Sequence, residues 1–186
     1  MSKNNRPASP WKVIQPLAEI RSPWVTVIAE KLQDDQGNLI DYWRVEKADS
    51  VIILTLQNQR LLLPQPMYRP GLGETTLDFP GGRVPPEQTP LETVPFILQK
   101  ELGIQPAEIS EITAINSEGW AINSSFSNQK LYGFVAKILP NIPVNSEKIG
   151  ASYPMTNQGI EALLKDLTCL QCRGILLEWN HQFTLS

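Results

Sequence analysis

Two cysteines and one histidine in 186 residues leave little soft metal-ligand chemistry. A structural zinc site takes four such ligands, and only Cys169, Cys172 and His181 are on offer. The cysteines, three apart in a helical pattern, share a face and read as small buried hydrophobes. His181, near the chain end, reads as a surface or packing residue. Long apolar runs are missing too. A membrane helix needs ~20 apolar residues, whereas Val51–Leu56 is bounded by Ser50 and Gln57, and the chain start carries no apolar signal core. The expectation is a soluble, cytoplasmic protein with no membrane partner. Basic excess is absent: a net charge of −3 argues against broad nucleic-acid binding, which needs a basic face, while leaving room for a local basic pocket.

What is present is an ordinary globular composition, 41% apolar and 19% charged, of a size suited to one domain. Residues 1–12 are rich in Asn, Ser and Pro without periodicity and read as a flexible arm, leaving 13–186 as a single domain. Pro23–Leu32 and Leu39–Glu46 alternate around a turn at Asp34–Asn38, which predicts a hairpin. Val51–Leu56 and Arg60–Leu63 form a second hairpin, whose unbroken apolar runs place it at a sheet centre with both faces covered. Further strands are expected over Thr75–Phe79, Ile109–Ile115 and Leu131–Leu139. The stretches 116–130 and 140–154 read as irregular. Thr156 caps an amphipathic helix carrying Ile160, Leu163, Leu164 and Leu167, and a further helical piece covers Gly174–Trp179.

The chain is organised around Asp78–Ile104. Gly81-Gly82 predicts a turn or a close backbone approach. Thr89, Pro90 and Glu92 make a capping box with proline at the first helical position, and Gly103 is a left-handed stop. Leu91, Val94, Leu98 and Leu102 repeat at helical spacing and give one buried face. Pro95 inside that helix removes a backbone bond, at about 3 kcal/mol unless the helix kinks.

This segment resembles the Nudix box. Gly82, Leu98, Glu101, Gly103 and Ile104 match its pattern, whereas Gln88 stands at the first acid, Phe96-Ile97 replaces Arg-Glu, and Lys100 replaces the first Glu of the pair. The resemblance runs from about Trp24 to Trp179 and is nearest to the ADP-ribose and nucleotide-sugar pyrophosphatase branch. Met67-Tyr68-Arg69-Pro70 is similar to that branch's Gln-Tyr-Arg element, Leu77–Gly82 to its Leu-Glu-Leu-Pro-Ala-Gly, and Ser117-Glu118-Gly119 to its Ser-Pro-Gly. It implies an α/β (α+β) fold, an α/β/α sandwich around a mixed sheet, with an N-terminal antiparallel hairpin region over 13–47 that pairs two subunits of a homodimer.

For chemistry, the resemblance implies a magnesium-dependent pyrophosphohydrolase acting on a nucleoside-diphosphate-type small molecule. Box carboxylates fall at 97, 100 and 101, and here only Glu101 remains, with the Gly81 backbone carbonyl as a second metal ligand. Glu87 neighbours the Gln88 vacancy. Glu118 and Glu147 are loop acids in reach of a catalytic-base role. Lys100, with Arg69 and Arg83, offers charge to a diphosphate that the Gly81-Gly82 backbone approaches, although a solvated helix lysine is an equally good account of Lys100. Trp120 either stacks on a base or sugar or plugs the core. Phe96 and Ile97 are expected to bury apolar area. Two functional readings follow: an ADP-ribose or nucleotide-sugar hydrolase with weak or absent activity, or a catalytically inactive nucleotide-binding regulatory homologue.

Overall fold

The structure is a computed structural model and describes residues 10–185. The arm read over 1–12 therefore lies, at 1–9, outside the described residues, and at its far end Lys12 already begins a strand. The chain forms two compact units. Of the described residues, one comprises 10–48 together with Ala121–Gln129, and the other Asp49–Trp120 together with 130–185.

The first unit is an antiparallel sheet of β1 (Lys12–Arg21), β2 (Thr26–Gln33) and β3 (Leu39–Glu46), in that order. The β2–β3 pair is the expected hairpin. Its turn closes because the Asp34 carboxylate accepts the backbone N–H groups of Gln36 (2.9 Å) and Asn38 (2.8 Å), while Gly37 takes φ +89°. Strand β1 falls in a stretch, 13–22, for which no separate strand is expected from the sequence, and Pro16 in its middle is unusual in a strand. The register shifts at Val13/Gln15 and Pro16/Ala18 absorb that proline. Among the described residues of this unit only Ala29 is fully buried.

In the second unit, β4 (Ser50–Gln57) and β5 (Arg60–Pro64) form the predicted central hairpin. Asn58 and Gln59 both adopt left-handed φ, +49° and +58°, as a two-residue hairpin turn requires. A short hairpin of β6 (Met67–Arg69) and β7 (Glu74–Thr76) follows. On its other edge β4 pairs in parallel with β11 (Lys130–Ile138), while β8 (Gly81–Arg83) pairs antiparallel with Ser50–Ile52 on the edge that β5 takes further along. The sheet is completed by β9 (Ile109–Ala114) and the two-residue β10 (Trp120–Ala121) beside β11, and by β12 (Ile149–Pro154) beside β5. Strand β12 lies in a stretch expected to be irregular, and its composition explains why. Gly150 is poor strand material, yet a Cβ there would stand 2.5 Å from the Pro64 carbonyl oxygen, so the tight pairing itself demands glycine.

Helix α1 (Pro90–Leu102) has the predicted capping box, with the Glu92 carboxylate accepting the Thr89 N–H at 2.8 Å, and Gly103 ends it at φ +74°. The helix runs unbroken through Pro95. Its buried face is Val94, Ile97, Leu98 and Leu102, packed with Val51, Ile53, Phe134, Ala136 and Ile138 on one side of the sheet. Leu91 is exposed instead, one turn too early to reach the sheet, and Phe96 is 61% exposed, so the expectation that it is buried fails while that for Ile97 (8% exposed) holds. On the opposite side lie α2 (Asn157–Asp166), capped by Thr156, and α3 (Leu170–Leu185). Strand residues alternate faces, and a Cβ on Gly133, next to Phe134, would run into Ile175 Cδ1 of α3. The second unit is thus the α/β/α sandwich expected, on a mixed sheet. Among the described residues no helix is long and apolar enough to cross a membrane.

Candidate functional site

The Gly81-Gly82 pair does not form the turn that its sequence predicts. Neither residue has positive φ; both are extended in β8 and paired to β4. The close approach is to protein: a Cβ on Gly81 would stand 2.7 Å from the Val51 carbonyl oxygen, and one on Gly82 would meet Ile97 Cδ1 at 3.3 Å. The ladder bonds on either side, Ile53 N–H to Pro80 O (2.9 Å) and Val84 N–H to Asp49 O (2.8 Å), leave the Gly81 amide turned away from β4. It donates to Glu101 Oε2 at 3.2 Å.

Glu101 thus sits at the inner wall of a cleft of about 490 Å³, formed between β6–β8, the end of α1 and the loop before β12. Burial raises its pKa above the usual carboxylate value, against the opposing pull of the Gly81 N–H and the Lys100 and Arg69 charges; the Asp78 charge adds to the rise. Arg69 also lines the cleft, but its guanidinium is held by Asp78, with Nη2 at 2.6 Å and Nε at 2.8 Å from Oδ2. Thr76 donates to the same oxygen at 2.9 Å. Lys100 stands at the rim, and no salt bridge among the described residues engages its ammonium.

Of the residues singled out from the sequence, the cleft brings together Arg69, Gly81, Lys100, Glu101 and Glu147. Gly82, Arg83, Glu87, Glu118 and Trp120 do not line it. Gly82 faces Ile97, Arg83 ends β8, Glu87 is exposed before α1, Glu118 lies in an exposed loop whose carbonyl takes the Lys130 ammonium at 3.3 Å, and Trp120 is on the β10 edge. Two lining residues had no sequence signal as site residues. Asp78 looked like the end of a strand, and its role depends on Arg69 folding back nine residues to meet it. Lys148 lies in an irregular loop, and its ammonium reaches the Lys100 carbonyl at 2.8 Å, capping the α1 C-terminus.

The donor set does not fit magnesium. That ion wants several hard oxygen ligands in octahedral array, but Ile97 is turned into the core, Lys100 presents an ammonium, and Glu101 is engaged by an N–H in surroundings that favour its neutral form. Among the described residues, the only three ionisable ligand atoms close enough to share an ion are those of Asp78, Cys169 and Cys172.

The two-layered cover of helices on a mixed sheet, with a separate antiparallel sheet unit and a cleft at the β8–α1 segment, defines a Nudix-like α+β fold. Among solved structures the chain is similar to the crystal structure of an ADP compounds hydrolase, at 18% identity and a TM-score of 0.72, over 98% of this chain and 97% of that one. At that identity the likeness establishes the fold. No family model matches the sequence, and none of the curated proteins compared with it does.

Proposed function

We propose that the cleft binds a nucleoside-diphosphate-type ligand, of the ADP-ribose or nucleotide-sugar class, with weak or absent magnesium-dependent pyrophosphatase activity. The observation that carries this reading is the rewritten end of α1: where the box resemblance implies a row of carboxylates, the cleft meets the ammonium of Lys100, in no salt bridge among the described residues, beside a single, inward-bonded Glu101. An ammonium at a cleft rim neutralises a phosphate without metal, and the half-exposed Arg69, fixed by Asp78, adds a planar donor. The fold likeness to an ADP compounds hydrolase supports the ligand class.

The same reading makes the protein a cytoplasmic homodimer joined through the first unit. Strand β1 is exposed along its whole length, and Val13, Ile14, Leu17, Ile20 and Trp24 leave apolar surface that a monomer seldom shows.

Calorimetric titration of ADP-ribose, with and without magnesium, tests the proposal. The expected result is binding that survives metal removal and weakens at least about tenfold in Lys100→Ala, the loss of roughly one charge-assisted contact. Turnover of ADP-ribose at about 1 per second or faster with magnesium, inside the usual enzyme range, refutes weak activity; absence of binding to ADP-ribose and nucleotide sugars alike refutes the ligand class.

A further inference from the structure

The Cys169–Cys172 pair, read from sequence as buried filler, is placed differently by the fold. Cys169 immediately precedes α3, and its half-buried sulfur faces the first N–H groups of that helix, those of Gln171 and Cys172. Cys172, one turn in, is 2% exposed. Both sulfurs and an Asp78 carboxylate oxygen lie within 4.8 Å of one another, with Cys172 Sγ 3.8 Å from Asp78 Oδ1. Asp78 is itself fixed: its other oxygen is taken by Arg69 and Thr76, so Oδ1 is the one left to face the thiol.

We propose that Cys169 and Cys172 are a redox-active dithiol, in which Cys169 exchanges with a disulfide co-reactant and Cys172, yielding its proton to Asp78, closes an intramolecular bridge.

The asymmetry of the pair fits this division of labour. The Cys172 thiol, shared between Cys169 and Asp78 Oδ1, lowers the Cys169 pKa, with the Cys172 and Gln171 N–H groups pulling the same way against burial and the Asp78 charge. The Cys172 thiol is pushed strongly up, first by that same partnership and then by burial. The accessible sulfur is therefore the thiolate, and the buried one keeps its proton. In the first step Cys169 Sγ attacks one sulfur of a small-molecule disulfide RSSR; that S–S bond breaks and RS⁻ leaves. In the second, the Cys172 S–H proton passes to Asp78 Oδ1, the new thiolate attacks Cys169 Sγ, the mixed disulfide breaks, and the second RS⁻ leaves. Two thiols have lost two electrons and two protons, and RSSR has become two RSH. Residues at this spacing on a helix start satisfy the short Cα separation a disulfide needs. A metal fits less well, since among the described residues only three ligand atoms converge, short of the four a zinc site takes.

The inference stands apart from the ligand of the cleft and is tested on the full chain. The reduced protein is equilibrated with mixtures of reduced and oxidised glutathione and followed by intact mass. The expected result is loss of two hydrogens at a defined glutathione ratio, with native Cys169 alkylated by iodoacetamide at least about tenfold faster than buried Cys172. Cys172→Ser should trap the glutathione mixed disulfide on Cys169, and Cys169→Ser should form neither bridge nor adduct. Asp78→Asn should slow bridge closure without slowing the first exchange, since the Asp78 charge disfavours the Cys169 thiolate, a split that mere loosening of the fold would not give. If Cys172→Ser does not fold, the wild-type equilibrium and alkylation order decide alone. Two thiols still free after equilibration with excess oxidised glutathione, or stoichiometric zinc released only when the thiols are alkylated, overturn the proposal.

Discussion

Restoring a carboxylate at position 97 is the most direct way to ask whether the box face was rewritten for packing. Ile97 is 8% exposed within the cluster of Val51, Ile53, Val84, Val94 and Leu98. Ile97→Glu forfeits the burial of a full aliphatic side chain, about 1.5–3 kcal/mol, and places a carboxyl among apolar neighbours with no partner, about 1–3 kcal/mol even when it enters neutral. The sum, roughly 3–6 kcal/mol, is a large part of the 5–15 kcal/mol that holds a typical domain. At 2–4 °C per kcal/mol for a chain of this size, melting should fall by about 6–24 °C. Tryptophan fluorescence in a urea series reads the change, since Trp179 is buried in the same unit. Lys100→Glu, on the exposed rim, should cost less than about 0.5 kcal/mol. A cost under about 1 kcal/mol for Ile97→Glu refutes the reasoning, because the new carboxylate would then be reaching solvent through the cleft.

Gly81→Ala drives a Cβ to 2.7 Å from a backbone oxygen, so β8 must shift; a loss of about 1–3 kcal/mol is expected in urea unfolding, against near-neutrality for Gly71→Ala, where nothing lies within 4 Å. Glu101 has a raised folded pKa, so its share of stability is present below pH 4.5 and lost as pH rises through the raised value. Glu101→Gln should therefore gain on the wild type between pH 4 and pH 7, and urea midpoints that stay parallel over that window contradict the assignment. Ile20→Lys on β1 should turn the dimer into a monomer by light scattering, while a wild type already monomeric at micromolar concentration removes the dimer reading.

The sequence made the scaffold of the cleft legible because its signals are local. The Thr89–Glu92 box, the Gly103 stop and the apolar runs of β4 and β5 each act within a few residues, and each forms as read. What stayed hidden depends on contacts distant in the chain. Gly81-Gly82 looks like a turn until the β4 backbone is brought against it. Pro16 and Gly150 disguise β1 and β12, whose pairing partners tolerate or require them. Phe96 and Ile97 are adjacent and equally apolar, and only the rotation of α1 decides that one enters the core. Asp78 joins both ranges, since Thr76 and Arg69 lie two and nine residues away but Cys172 lies 94 residues on.

The first unit is discontinuous, and this bears on the order in which the protein can be made. Its strands lie between Lys12 and Glu46, but the Val45 N–H waits for the Phe126 carbonyl (2.8 Å) and the Lys47 N–H for Asn128 Oδ1 (2.9 Å). At a synthesis rate of about 5–20 residues per second, the β1–β3 sheet emerges roughly 4–16 s before the segment that completes it. During that interval most of the central sheet's residues are being added, and the apolar stripe of β1 has nothing of its own unit left to find. The earliest strands of the chain are thus among the last to be finished.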